Sequence, residues 1–330
     1  MNIGQEVYIG LDTHRQTING TALDTAGNII CNSDFPNTKE ALMEFMKGFY
    51  PWYSYIAIEA CNFWRGPYKI LNELGYKVKL ANPVKISQIA KDKKTDEIDS
   101  KILADLLRVN YLPEVYIPSD EILALRDLTR HKINLMRLKI RLQNKIKAQL
   151  SRNGISYEKK LWNKEGIAWL KKLKSYEIDS LLGIWKSLAK EENSVKRKIV
   201  GMARVKEETI LLETIHGIGF YGAMIIYAEI GNVDRFPTPK HLQAFSGFSP
   251  GIRQSGTKTK MPKRANVNYW LKFIISQCSG RVTLKKCKLQ RHYFRMKKKK
   301  GWKIARKSTG RVMLSIIWHV LKEKIPYQES

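Results

Sequence analysis

At 330 residues and 43% hydrophobic content the chain has room for two domains; no apolar run approaches the ~18 residues of a membrane helix, and the N-terminus Met1-Asn2-Ile3-Gly4-Gln5-Glu6 lacks the basic-then-apolar layout of a signal peptide. A cytoplasmic location is therefore expected. The net charge of +29 is unevenly spread: residues 1–110 carry 13 Lys+Arg against 13 Asp+Glu, whereas Arg235–Lys322 carry 23 Lys+Arg and no acid. Without a clear amphipathic helix or lipidation motif, this basic region points away from membranes and toward a polyanion, DNA or RNA; the plainer reading is a solvated basic face. Cys31, Cys61, Cys278 and Cys287 form no CxxC pair and no zinc spacing, which predicts reduced, structural thiols.

In chain order, strands are predicted at about 6–12, 17–24 and 28–34, with a turn at Asp24-Thr25-Ala26-Gly27, making a three-stranded meander. A helix from about Asn37 to Phe49 follows, capped by Asn37 or Thr38. Next come a strand at Tyr55–Glu59, a helix over Phe63–Leu74 and a strand at Lys77–Ala81. Asn82-Pro83 then breaks the chain before a helical stretch that includes Asp99–Val109. Hairpin strands first and β-α-β units afterwards predict a mixed α/β sheet covered by helices, the order of the ribonuclease-H-like fold. Residues 111–210 read as helical. Leu128, Leu135, Leu138, Leu142 and Ile146 predict one long amphipathic helix ending near Asn153-Gly154, with no self-contained core expected. Antiparallel pairing, or a coiled coil with another protomer, would cover its stripe. Residues 211–330 form a third, basic segment. In Ile215-His216-Gly217-Ile218-Gly219 the two glycines resemble a helix-hairpin-helix whose backbone N–H groups hold phosphate, or else a tight turn between packed helices. Beyond it, Ser249–Gly256 reads as loop and the remainder as basic helix and loop, including Lys297–Lys300.

Four acids stand out. Asp12 ends the apolar run Val7–Leu11, Glu59 ends Tyr55–Ile58, and Asp96 and Asp99 lie three apart, on one helical face. A carboxylate at the tip of a buried strand costs several kcal/mol unless compensated, and divalent metal is one compensation. Mg²⁺, with Mn²⁺ as a substitute, prefers oxygen ligands. Two such ions about 4 Å apart stabilise both the attacking and the leaving oxygen of a phosphoryl displacement. Each acid has a plainer role: Asp12 could start a turn, and Asp96 could cap a helix. Asp92, Glu97 and Asp105 compete as ligands, although Glu97 would point off the Asp96/Asp99 face. His14 could touch substrate or be a surface histidine.

These pieces carry a resemblance. Tyr8-Ile9-Gly10-Leu11-Asp12, Ile58-Glu59-Ala60 and Lys94-Thr95-Asp96-Glu97-Ile98-Asp99 precede Ile215–Gly219, Ala244–Pro250 and Gln254-Ser255-Gly256. In that order and spacing the chain resembles the DEDD-type (RuvC-like) insertion-sequence transposases, recombinases that are guided by an element-encoded bridge RNA. The resemblance implies that the four acids bind Mg²⁺ and that Ser255 is a nucleophile toward DNA. Arg253, Lys258 and Lys260 would steady the phosphate, with Lys263 and Arg264 as further nucleic-acid contacts. It also implies double-stranded DNA (element and target), guide RNA and a dimer or tetramer as partners, in a prokaryotic, nucleoid-associated setting. The neutral domain that carries the four acids and the basic domain would then complete one active site. Cys61-Asn62 after Glu59-Ala60, and Ala265 in place of a usual glycine, depart from the family pattern and bear on local loop geometry. Two other readings remain: a metal-dependent Holliday-junction-type endonuclease with Ser255 structural, and a nucleic-acid-binding protein with structural acids.

Overall fold

A computed structural model describes residues 5–89, 96–203, 206–249, 253–255, 258–260 and 267–329, and only the backbone of 96, 203, 253–255 and 258–260. Two compact units divide between Ile117 and Pro118, so residues 118–210 fall in the same unit as 211–330.

The first unit contains β1 (Val7–Thr13), β2 (Thr17–Leu23), β3 (Ile29–Pro36), α1 (Lys39–Phe45), β4 (Ser54–Glu59), α2 (Arg65–Glu73), β5 (Lys77–Ala81), α3 (Pro83–Ile89), α4 (Asp96–Arg108) and β6 (Glu114–Val115). The sheet order is β3-β2-β1-β4-β5-β6. β1, β2 and β3 are antiparallel neighbours, β1 pairs parallel with β4 and β4 with β5, and β6 closes the edge antiparallel. This is the mixed sheet the element order predicts, plus an edge strand of two residues too short to leave a periodic signal. The Asp24 turn forms as expected. The Asp24 carboxylate accepts hydrogen bonds from the Asn28 backbone and side chain, and Gly27 takes φ 91°. Of the two candidate caps for α1, Thr38 serves, its hydroxyl accepting from the Ala41 N–H.

The two faces of this sheet differ in bulk. Ile9, Leu11, Ile56, Ile58 and Leu80 pack under α1 and α2 with Leu42, Met46 and Leu71. The other face presents Gly10, Ala57 and Ala81, and Ala57 and Ala81 pack with Leu103, Leu106 and Leu107 of α4. Small residues let that helix approach closely: a Cβ on Gly10 would lie 2.0 Å from the Ser100 carbonyl oxygen.

The second unit contains α5 (Asp120–Arg152), α6 (Lys164–Lys172), α7 (Tyr176–Ala203), α8 (Glu207–Glu213), α9 (Phe220–Ile230), α10 (Pro239–Phe245), a two-stranded hairpin of β7 (Arg253–Ser255) and β8 (Lys258–Lys260), α11 (Tyr269–Arg281) and α12 (Lys288–Glu323). The long helix predicted from leucine spacing is α5, and Asn153 caps it as expected. Its stripe holds at Leu135 and Ile146, but Leu138 is 43% exposed. α7 runs back antiparallel along α5: Leu125 and Leu135 meet Val195 and Ile199 near one end, and Ile146 and Leu150 meet Ile178 and Leu182 near the other. At the first end the cluster is completed by Met224 and Ala228 of α9, so this part of the segment shares its core with residues 211–330 as expected, while the far end forms a local cluster of its own. Leu161 and Leu170, in and before α6, close over the far end of the pair, with Trp162, Trp169 and Trp185 packed around them. The stretch read as loop around Ser255 also contains strand, a register too short to show alternation. α12 is not one rod. Gly301 (φ 78°, ψ 169°) interrupts it, and His292 Nε2 lies 2.9 Å from Ser308 Oγ. In a straight helix those residues would be about 24 Å apart, so α12 is an antiparallel helical hairpin.

Candidate active site

Asp12 and Glu59 follow the last parallel pair, Leu11 and Ile58, on neighbouring strands. They therefore finish β1 and β4 side by side. Because side chains alternate, both belong to the face of Gly10 and Ala57, the one α4 covers. Asp12 is 6% exposed and Glu59 half-buried.

The direction of α4 follows from its contacts. Arg108, at its C-terminus, donates to the Thr25 carbonyl in the β2–β3 turn, at the end of the sheet where β1 begins. Ser100 lies over Gly10. Its buried hydroxyl donates to Asn19 Oδ1 and lies 2.6 Å from Thr21 Oγ1, and Asn32 donates to Thr21 in turn. Asn19 and Thr21 sit opposite Asp12 and Gly10 on β2. α4 thus runs against β1, and its N-terminal turn, with Asp96 and Asp99, reaches the edge where Asp12 and Glu59 end. One helical turn back from Ser100 spans about 6 Å, as do two residues of strand from Gly10 to Asp12. Asp99 is half-buried and Glu97 exposed, as the helical face predicts.

Among the other candidates, Asp105 is held by Arg108 at 2.6 Å, and Asp92 lies outside the described residues. His14 belongs with the acids: its Nε2 lies 3.1 Å from Asp12 Oδ2. Cys61, one of the departures from the family pattern, joins the ends of the two acid-bearing strands. Its Sγ donates to the Thr13 carbonyl at 3.1 Å and accepts from the Phe63 N–H. Among the described residues no group of three or more His, Cys, Asp or Glu could hold a metal ion. The structure brings Asp12, Glu59 and the backbone of the first turn of α4 to one edge, without forming a closed cage among the described residues. The donor chemistry there, carboxylate oxygen, fits a hard divalent cation.

In the second unit Ser255 ends β7 opposite Lys258, and Arg253 pairs with Lys260. All four fall on the same parity of the ladder. Lys263 and Arg264 lie outside the described residues. Gly217 (φ 94°) sits in a tight turn between α8 and α9, where a Cβ would meet the Cys278 carbonyl oxygen at 2.7 Å. Gly219 is the N-cap of α9 and borders a cavity of about 390 Å³ that Lys132, Arg137, Tyr221 and Arg281 also line. All four cysteines are free, and burial pushes the Cys278 thiol up to about 12, so it stays protonated.

Sequence reasoning missed Glu229. It is fully buried, receives both arms of Arg130 at 2.7 and 2.8 Å, and accepts from Asn268 Nδ2 at 2.7 Å. Asn268 caps α11 and its N–H bonds the Phe245 carbonyl, so this cluster anchors the chain on both sides of the β7–β8 hairpin. A lone acid inside the apolar helix Phe220–Ile230 was the available signal. Asn19 and Ser100 were also missed. Polar residues of such types occur too widely for sequence to mark them.

Two family models match the chain. One, described as a transposase of the DEDD type of IS110 elements, covers residues 9–154; the other, "Transposase IS116/IS110/IS902 family", covers residues 210–294. The y4qE protein of Sinorhizobium fredii, named a transposase, is 25% identical over 62% of this chain and 52% of its own length. The transposase for insertion sequence element IS1111A of Coxiella burnetii is 22% identical over 64% of this chain and 62% of its own. A Pseudomonas aeruginosa protein named a family 20 transposase is 22% identical over 77% of each. The chain thus spans about half the length of the first relative and about three-fifths of the IS1111A protein. Among solved structures, T. thermophilus RuvC in complex with Holliday junction substrate covers 33% of this chain and 99% of its own at 12% identity. Its TM-score of 0.26 carries no argument.

Proposed function

This chain belongs to the IS110 family of transposases, and from that premise we propose that it cleaves and exchanges DNA strands to excise and insert an insertion sequence. The observation that carries the reading is the shared edge: Asp12 and Glu59 end neighbouring parallel strands, and α4, seated on Gly10, brings its acidic first turn to the same edge.

We read the first unit as ribonuclease-H-like (RuvC-like), with Asp12, Glu59, Asp96 and Asp99 as holders of Mg²⁺. The bound ions would supply Lewis-acid stabilisation of a phosphoryl displacement. His14 orients the Asp12 carboxylate, as an outer partner does for a ligand. Ser255 is the attacking group. Its oxygen bonds to phosphorus as the bond to the leaving strand breaks, the serine hydroxyl proton ending, in net, on the departing strand's oxygen, and Arg253, Lys258 and Lys260 would steady the phosphate charge. The basic stretch Arg235–Lys322 holds nucleic acid by its backbone. Guidance by a bridge RNA, which leaves sequence choice to base pairing, rests on the family resemblance.

The test is strand transfer by purified protein on element-end DNA with Mg²⁺. Asp12→Asn and Ser255→Ala should both lose it, and EDTA should abolish it. A protein–DNA adduct in denaturing gels is expected for the wild type and lost in Ser255→Ala. Wild-type recombination by Ser255→Ala would remove the serine from the mechanism and leave a metal-dependent junction endonuclease. No cleavage at all, with Asp12→Asn binding DNA unchanged, would leave a nucleic-acid-binding protein.

A further inference from the structure

The helical hairpin of α12 carries a surface to which the proposed strand exchange assigns no reacting group and no base contact. Its limbs fold back at Gly301, whose φ of 78° lies in the region that disfavours other residues. The contact between His292 and Ser308 sets the pairing, so Lys300 is the midpoint and residues 297–303 form the tip. Lys297, Lys298, Lys299, Lys300 and Lys303 are all exposed there, with no carboxylate anywhere between Arg235 and Lys322 to neutralise them. Beside them Trp302 is 52% exposed and Ile304 48% exposed.

A basic tip kept only for solubility needs its lysines, but has no use for an open indole. Trp pays to stay exposed, and with adjacent cations it is the pairing that single-stranded nucleic-acid surfaces use: a flat ring for a base, charges for the flanking phosphates. Lys303 Nζ lies 5.7 Å from the Trp302 ring centroid, so a cation stands within reach of a phosphate next to a stacked base. In a duplex both faces of each base are covered by its neighbours, so the indole favours unpaired nucleotides. The family match ends at residue 294, before this tip begins.

We propose that the tip of the α12 hairpin binds single-stranded nucleic acid, with Trp302 stacking on an unpaired base and Lys297–Lys300 contacting phosphates. This rests on the reading of the basic segment as a nucleic-acid surface, but not on catalysis. The test uses the full chain in EDTA, with a labelled 20-nucleotide single-stranded DNA, an RNA of the same sequence, and a blunt duplex. Trp302→Ala should weaken single-strand binding about tenfold or more and leave the duplex within twofold, while Trp302→Phe keeps most of the affinity. Replacing all four lysines Lys297–Lys300 with glutamine should lower the slope of log K against log salt by about 3 on single strands. A larger loss on RNA or on DNA names the ligand. Unchanged single-strand binding by Trp302→Ala, equal losses on single strand and duplex, or an unchanged salt slope would each overturn the proposal. With no Mg²⁺ present the acids are not tested, so a chain that passes here yet never cleaves DNA refutes only the enzymatic reading.

Discussion

Gly10→Ala tests whether the seating of α4 positions the acidic edge. The added Cβ would lie 2.0 Å from the Ser100 carbonyl oxygen, 2.6 Å from the Ala104 nitrogen and 2.9 Å from Leu103 Cβ. Two of these are helix backbone, which cannot rotate aside. Ordinary contact begins near 3.4 Å, so α4 must back away by about 1.4 Å at its closest point. Overpacking of this kind costs about 1–3 kcal/mol, which for a unit of this size lowers the melting temperature by about 4–12 °C. Displacing catalytic groups by about 1 Å costs about 100-fold in rate. Gly20→Ala is the control. Its Cβ would meet the Phe45 ring at 2.6 Å on the opposite face of the sheet, away from α4. Both variants should melt earlier by circular dichroism. At 25 °C, where both are folded, only Gly10→Ala should lose Mg²⁺-dependent strand cleavage. Wild-type cleavage by Gly10→Ala, or equal losses in the two variants, would refute the argument that α4 sets the site.

His14→Ala should lower cleavage about tenfold and raise the Mg²⁺ concentration needed for half-maximal rate, in contrast to the complete loss in Asp12→Asn; an unchanged Mg²⁺ titration would make His14 a bystander. Glu229→Gln leaves Arg130 and Arg126 without their buried counter-charge and should destabilise the second unit by about 2–4 kcal/mol in urea unfolding. Glu192 gives a pH signature. Burial pushes its carboxyl up, but the Lys139 hydrogen bond and the charges of Lys139, Lys132 and Lys196 outweigh this and hold it below its ordinary value of 4.5. A depressed carboxylate stabilises above its unfolded pKa and loses that contribution as pH falls through the folded value. The wild-type protein should therefore lose stability below pH 4.5 more steeply than Glu192→Gln, measured as melting temperature against pH.

The order of elements in the first unit was legible in the sequence because strand alternation, the Asp24 turn and the Asn82-Pro83 break are local signals. Asp12 and Glu59 were legible for a related reason: a charge that ends an apolar run stands out against its neighbours. Ser255 was singled out only through the resemblance, since a Ser-Gly pair has no local mark of its own. Glu229 is also a charge in an apolar run, yet its meaning depends on Arg130 and Asn268, 99 and 39 residues away.

The sequence by itself determined the first five strands, the long α5 helix and the charge asymmetry, and it singled out the four acids, all from residue type and near neighbours. Tertiary structure alone decided that α4 runs against β1 and sits on Gly10, which takes Asp96 and Asp99 to the edge of Asp12 and Glu59. It also decided that α7 runs back along α5 with α6 closing the far end, and that Gly301 folds α12 into a hairpin rather than a rod. The reason is the same in each case. Helical periodicity records which face of a segment is apolar, while the direction and partner of that face depend on close approach between residues far apart in the chain.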